Sequence, residues 1–136
     1  MTDMTELKVL IVDDVAQVRR ELSYILPLFG DIKIVGEAAD GCEAICQAEA
    51  LKPDVILMDL EMPLMDGYEA AREIKDRYPG CRVIALTVHA YEAAQHKAAQ
   101  AGVDGFIVKG ASVETLVQAI LEEKEIIEKK EGSEIS

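Results

Sequence analysis

Tryptophan is missing from this chain, and only Phe29, Phe106 and four tyrosines supply aromatic rings. A core must therefore be built from Val, Ile, Leu, Met and Ala. Half of the 136 residues are hydrophobic, which excludes a disordered tail and suits one domain with one core. Basic residues are scarce, 14 against 26 acids, for a net charge of −12. No Lys/Arg-rich stretch interrupts that acidity, so direct contact with nucleic acid is not expected. The apolar runs last only a few residues, too short to span a bilayer, and no membrane association is expected. Cysteine is limited to Cys42, Cys46 and Cys81, irregularly spaced and with no secretory leader ahead of them, which predicts a reducing, cytoplasmic location. Cys42 and Cys46 can share a helical face. With no second ligand pair to complete a zinc site, they read as two small apolar helix residues.

Short strand-like runs alternate with longer helical ones. Strands are predicted at 7–12, 32–38, 54–58, 81–87 and 104–109. After the first, Val15, Val18, Leu22, Ile25 and Leu26 fall near one helical face. Further helices are predicted at about 41–51, 67–78 and 91–101, with Pro53 and Pro79-Gly80 as breaks. Ser112 is the expected N-cap of the last helix, with Glu114 in its first turn. The stripe Val113, Leu116, Val117, Ile120 and Leu121 becomes ragged afterwards. One domain is therefore expected over 1–122, with 123–136 as the end of the last helix and a solvated tail or linker, in which Ile126 and Ile127 could dock on a partner. Strands this continuously hydrophobic predict an α/β fold, a five-stranded parallel sheet covered on both faces by five helices.

The stretch "VILMDLEMPLMDG" (55–67) ends the greasiest run on an aspartate, Asp59. The first strand likewise runs into Asp13-Asp14, the fourth into Thr87 and the fifth into Lys109. Parallel strands deliver their C-terminal residues to one edge, where ligands usually bind. Three carboxylates, a hydroxyl and an ammonium are thus predicted to converge. Clustered carboxylates repel unless a cation shares the site, and oxygen-only ligands suit magnesium. Three aspartates supply −3, and a magnesium ion with Lys109 supplies +3. Such a neutral cluster can accept a phosphoryl group. No Walker loop is present, no GxGxxG follows the first strand, and His89 and His96 build no Ser-His-Asp or Cys-His arrangement. Without a nucleotide site, the chain should receive phosphoryl groups rather than transfer them from ATP.

The ordered blocks "LIVDD", "VILMDLEMPLMDG", "IALT" and "GVDGFIVK" resemble the receiver domain of two-component response regulators over roughly residues 6–122. The resemblance implies a flavodoxin-like three-layer sandwich. It implies Asp59 as phosphoacceptor and magnesium held by Asp13, Asp14, Asp59 and the backbone carbonyl of Glu61. Thr87 matches the switch hydroxyl, Lys109 the salt-bridging lysine, and Phe106 the aromatic whose position reports the active state. Glu61 and His89 match positions that tune hydrolysis of the acyl phosphate, and Pro63 with Asp66-Gly67 the tight loop beyond the acceptor. The implied partners are a sensor histidine kinase or phosphotransfer protein and, as one assembly, a homodimer. Self-catalysed phosphorylation and dephosphorylation are expected, rather than conventional enzyme turnover.

Many receivers carry a cis-proline after the lysine, whereas Lys109 precedes Gly110-Ala111-Ser112. "FIVKGAS" resembles instead the receivers of LuxR/NarL-type transcriptional regulators, which continue into a helix-turn-helix domain. A single-domain regulator and a receiver from a longer one both remain open here. Two other readings compete: a haloacid-type magnesium phosphatase, which would place DxD after the first strand, and a receiver-like scaffold that takes no phosphate. Thr87 and Lys109 are both expected to face a solvent-exposed strand edge.

Overall fold

Strand and helix alternate throughout the structure, a computed structural model that describes residues 6–62, 65–88 and 92–121. The strands are β1 (Leu7–Val12), β2 (Ile32–Ala38), β3 (Val55–Asp59), β4 (Arg82–Thr87) and β5 (Gly105–Val108). Between them lie α1 (Ala16–Phe29), α2 (Gly41–Leu51), α3 (Gly67–Arg77) and α4 (Glu92–Gln100), and residues 113–121 form α5. All of these elements fall within a residue or two of their expected positions. The segment holding Ile126 and Ile127 lies outside the described residues.

All strand pairs are parallel, in the order β2-β1-β3-β4-β5. That is the order of a flavodoxin-like sheet, whose strand sequence reverses between β1 and β3. Side chains alternate between faces along each strand. Leu10, Val12, Ile56 and Met58 pack with Ala44, Ala48, Ala70, Ala71 and Ile74 of α2 and α3. Val9, Ile11, Val55 and Leu57 pack on the opposite face with Leu26 of α1 and with Leu116, Val117 and Ile120 of α5. The largest fully buried side chains are Leu, Ile, Met and Val, as the shortage of aromatics requires.

Capping fixes where the helices begin. Asp40 accepts the Glu43 N–H at 2.8 Å to open α2, and Asp66 accepts the Glu69 N–H at 2.9 Å to open α3. Ser112 accepts the Thr115 N–H at 3.1 Å, as expected of the α5 cap. Helix α1 has no such side-chain cap. Its entry at Val15 is tied instead to the Asp13 carboxylate. Cys42 and Cys46 are exposed, because α2 buries Gly41, Ala44 and Ala48 on its other face. Among the described residues, no helix is long and apolar enough to cross a membrane.

Candidate functional site

Strands β1 and β3 flank the reversal of strand order and carry Asp13 and Asp59 to one crevice, where both are 1% exposed. Asp14 stands beside them, exposed, and oxygen atoms of the three carboxylates lie within 4.8 Å of one another. Lys109, the first residue after β5, places Nζ 3.1 Å from Asp13 Oδ2 and 3.2 Å from Asp59 Oδ2. Two buried carboxylates therefore share one ammonium, and Asp14 adds further negative charge.

The backbone sets the orientation of both buried acids. Asp13 Oδ1 accepts the Val15 N–H at 2.9 Å, and Asp59 Oδ1 accepts the Glu61 N–H at 3.1 Å. Arg19 donates to the Asp13 carbonyl at 2.6 Å while pairing with Glu37 at 3.1 Å, and Ser23 donates to Glu37 at 3.0 Å. Asp13 Oδ2 is near Lys109 in distance, but the geometry is not that of a hydrogen bond. A buried, unsatisfied carboxylate oxygen beside two further carboxylates fits a hard cation such as magnesium.

Burial raises Asp59 from 3.8 to about 6. The Glu61 N–H and the Lys109 charge oppose that rise, while Asp13 adds to it. Burial also disfavours the charged form of Lys109, but Asp13 and Asp59 outweigh it and its pKa rises.

Thr87 ends β4 and is fully buried, contrary to the solvent-facing position expected for it; the Lys109 side chain is 27% exposed. Leu60 N–H donates to the Leu86 carbonyl at 3.1 Å, extending the pairing with β4 one residue past β3 and bringing Glu61 to Thr87. There Thr87 Oγ1 donates to Glu61 Oε2 at 2.8 Å. Gly67 packs against this segment, and its N–H donates to the Leu60 carbonyl at 3.1 Å. A Cβ at Gly67 would collide with the Asp59 carbonyl and Leu60 Cα, so helix α3 can begin this close only with glycine. After Lys109 the turn is made by Gly110 at φ +100, and no described peptide bond is cis.

Phe106 is half-buried, in register with Ala85, and so projects from the same face as Thr87 two residues further along β4. It packs beside Leu60, Ala85, Ala98, Val103 and Tyr68. Tyr68 was not singled out from the sequence. Lys97 of α4 lies 4.3 Å over its ring, and burial, then the Glu61 and Asp66 charges, raise its hydroxyl pKa. An aromatic directly after Asp66-Gly67, in a chain with so few, was the available signal. Arg19, Glu37 and the Glu61–Thr87 contact had none. His89 and Pro63 lie outside the described residues.

The family model for the response regulator receiver domain matches residues 9–121. The response regulator protein VraR of Staphylococcus aureus is 45% identical over 114 residues, which cover 84% of this chain and 54% of that protein. The chain thus spans about half the length of the curated relatives it matches. A LuxR-family two-component response regulator from Aurantimonas sp. SI85-9A1 superposes with a TM-score of 0.81 at 33% identity, covering 85% of this chain and 83% of that one. A chain of the CheX-CheY-BeF3-Mg+2 complex from Borrelia burgdorferi gives the same TM-score, 0.81, at 26% identity, covering 90% of this chain and 92% of that one. With the sheet order, the acids at its carboxyl edge and the matched length taken together, the chain belongs to the response regulator receiver domain family.

Proposed function

We propose that this receiver is a phosphoacceptor switch that takes a phosphoryl group on Asp59 and thereby alters a partner-binding or output surface. The observation that carries this reading is the setting of Asp59. It is buried, with one oxygen on a peptide N–H and the other on Lys109, beside two further aspartates. In the transfer, an ionised Asp59 oxygen forms a bond to phosphorus while the bond to the donor breaks, its electron pair leaving with the donor. Lys109 offsets the charge of the incoming oxygens, and the Glu61 N–H holds the carboxylate in line. Asp13, Asp14, Asp59 and the backbone carbonyl of Glu61 would hold magnesium, which supplies further positive charge when bound. Thr87 then donates its hydroxyl to a phosphoryl oxygen, and Phe106, on the same face of the sheet, repacks with it. Glu61 and His89 are the residues proposed to tune how fast water removes the phosphoryl group.

A sensor histidine kinase or phosphotransfer protein is the proposed donor, meeting this receiver in the cytoplasm. The receiver is assigned to residues 1–122. In a longer regulator of the LuxR/NarL type, the altered surface would control a DNA-binding domain, with a receiver homodimer as the assembled form. Intact-mass measurement with magnesium and a small phosphodonor should show one added phosphoryl group, lost in Asp59→Ala. Equal labelling of that variant would refute the assignment.

A further inference from the structure

We infer that the Glu61 side chain is a resting-state latch, which occupies the Thr87 hydroxyl and must be displaced before Thr87 can grip a phosphoryl group. This rests on the phosphoacceptor reading of Asp59 and adds to it a competitor for Thr87. One residue touches both halves of the switch, since the Glu61 N–H donates to Asp59 Oδ1 at 3.1 Å and Glu61 Oε2 accepts from Thr87 Oγ1 at 2.8 Å. A hydroxyl has a single proton to donate. While Thr87 donates it to Glu61, it is not available to an oxygen on Asp59.

The burial of the two partners makes the exchange directional. Thr87 is fully buried, so its hydroxyl needs an acceptor in every state. Glu61 is exposed, so its carboxylate can turn into water with little desolvation to recover. A phosphoryl dianion on Asp59 would repel that carboxylate while offering Thr87 a replacement acceptor. Resting and active states are therefore two alternative acceptors for one hydroxyl. The charge-assisted bond to Glu61 weights the balance toward rest. Glu61 acts here through Thr87 and is a positioning residue.

The test is a double-mutant cycle on beryllofluoride binding in the presence of magnesium, followed by amide NMR shifts of wild type, Glu61→Ala, Thr87→Ala and the double variant. Glu61→Ala should tighten binding about tenfold, the scale of one lost charge-assisted hydrogen bond. It should also move the Phe106 amide of the magnesium-free, unmodified protein part-way toward its beryllofluoride-bound position. In the Thr87→Ala background the same change should alter affinity less than threefold. An equal gain in both backgrounds would show that Glu61 acts by charge alone and would overturn the latch. Unchanged affinity in Glu61→Ala would overturn it too, leaving the phosphoacceptor reading in place. Absence of beryllofluoride binding by the wild type would instead overturn the phosphoacceptor reading, and the latch with it.

Discussion

Replacing Asp59 by asparagine should make the metal-free protein more stable at neutral pH, although the substitution removes half of an ion-pair contact. Burial holds Asp59 at about 6, against 3.8 for the free side chain, even with Lys109 3.2 Å away. Between those values the folded protein binds more protons at this position than the unfolded chain does. Stability therefore falls as pH rises through the window from 3.8 to about 6, and it stays lower above it. At about 1.4 kcal/mol per pH unit, that gap corresponds to roughly 3 kcal/mol. Asparagine abolishes the charge but has one carbonyl oxygen for two donors, the Glu61 N–H and Lys109, and one unmade bond costs about 1 kcal/mol. The net gain is about 2 kcal/mol, or roughly 6 °C in Tm for a domain of this size. Thermal melts in EDTA from pH 4 to 8 would measure it. The advantage should be full at pH 7.5, shrink through pH 6 and vanish near pH 4, where folded Asp59 is itself protonated. A variant no more stable than wild type at pH 7.5, or an advantage independent of pH, would refute the burial argument.

Magnesium should raise the Tm of the wild type by relieving repulsion among the three carboxylates, and raise it less in Asp14→Asn; melts with and without the ion decide this, and equal shifts would remove Asp14 from the site. Gly67→Ala should cost about 2 kcal/mol and slow labelling of Asp59, because its Cβ meets backbone, while Gly80→Ala, whose Cβ meets nothing within 4 Å, should leave the urea midpoint and the labelling unchanged. Lys109→Ala should destabilise the metal-free fold by about 3 kcal/mol, since it leaves Asp13 and Asp59 buried with no cation between them. Thr87→Ala should cost only about 1 kcal/mol, because Glu61 can turn to water. Both variants should lose the amide-exchange change expected across residues 87–110 on phosphorylation of the wild type, and a response equal to wild type in either would reject its switch role.

What could be read in the sequence followed from how chains are periodic. A run such as Val55–Met58 declares a strand buried on both faces, and where the run stops, the parallel sheet must place whatever comes next at its carboxyl edge. Asp13, Asp59, Thr87 and Lys109 were legible for that reason, each standing at or just beyond a strand end. Periodicity does not describe what one strand exit brings to the next. Thr87 looked solvent-facing because its own strand ended there, yet it is buried and donates to Glu61, which follows β3. Glu61 and Thr87 are 26 residues apart, and neither has a local pattern that names the other. Cys42 and Cys46 show the complementary difficulty on α2. That helix buries glycine and alanine, so residue size gave no guide to which face is turned inward. Arg19 illustrates both effects, sitting in an ordinary helical stretch yet holding the Asp13 carbonyl and Glu37 at once. The strand ends fix which chemistry collects at the edge. The segment after β3 decides what holds the Thr87 hydroxyl, through Glu61 Oε2 at 2.8 Å.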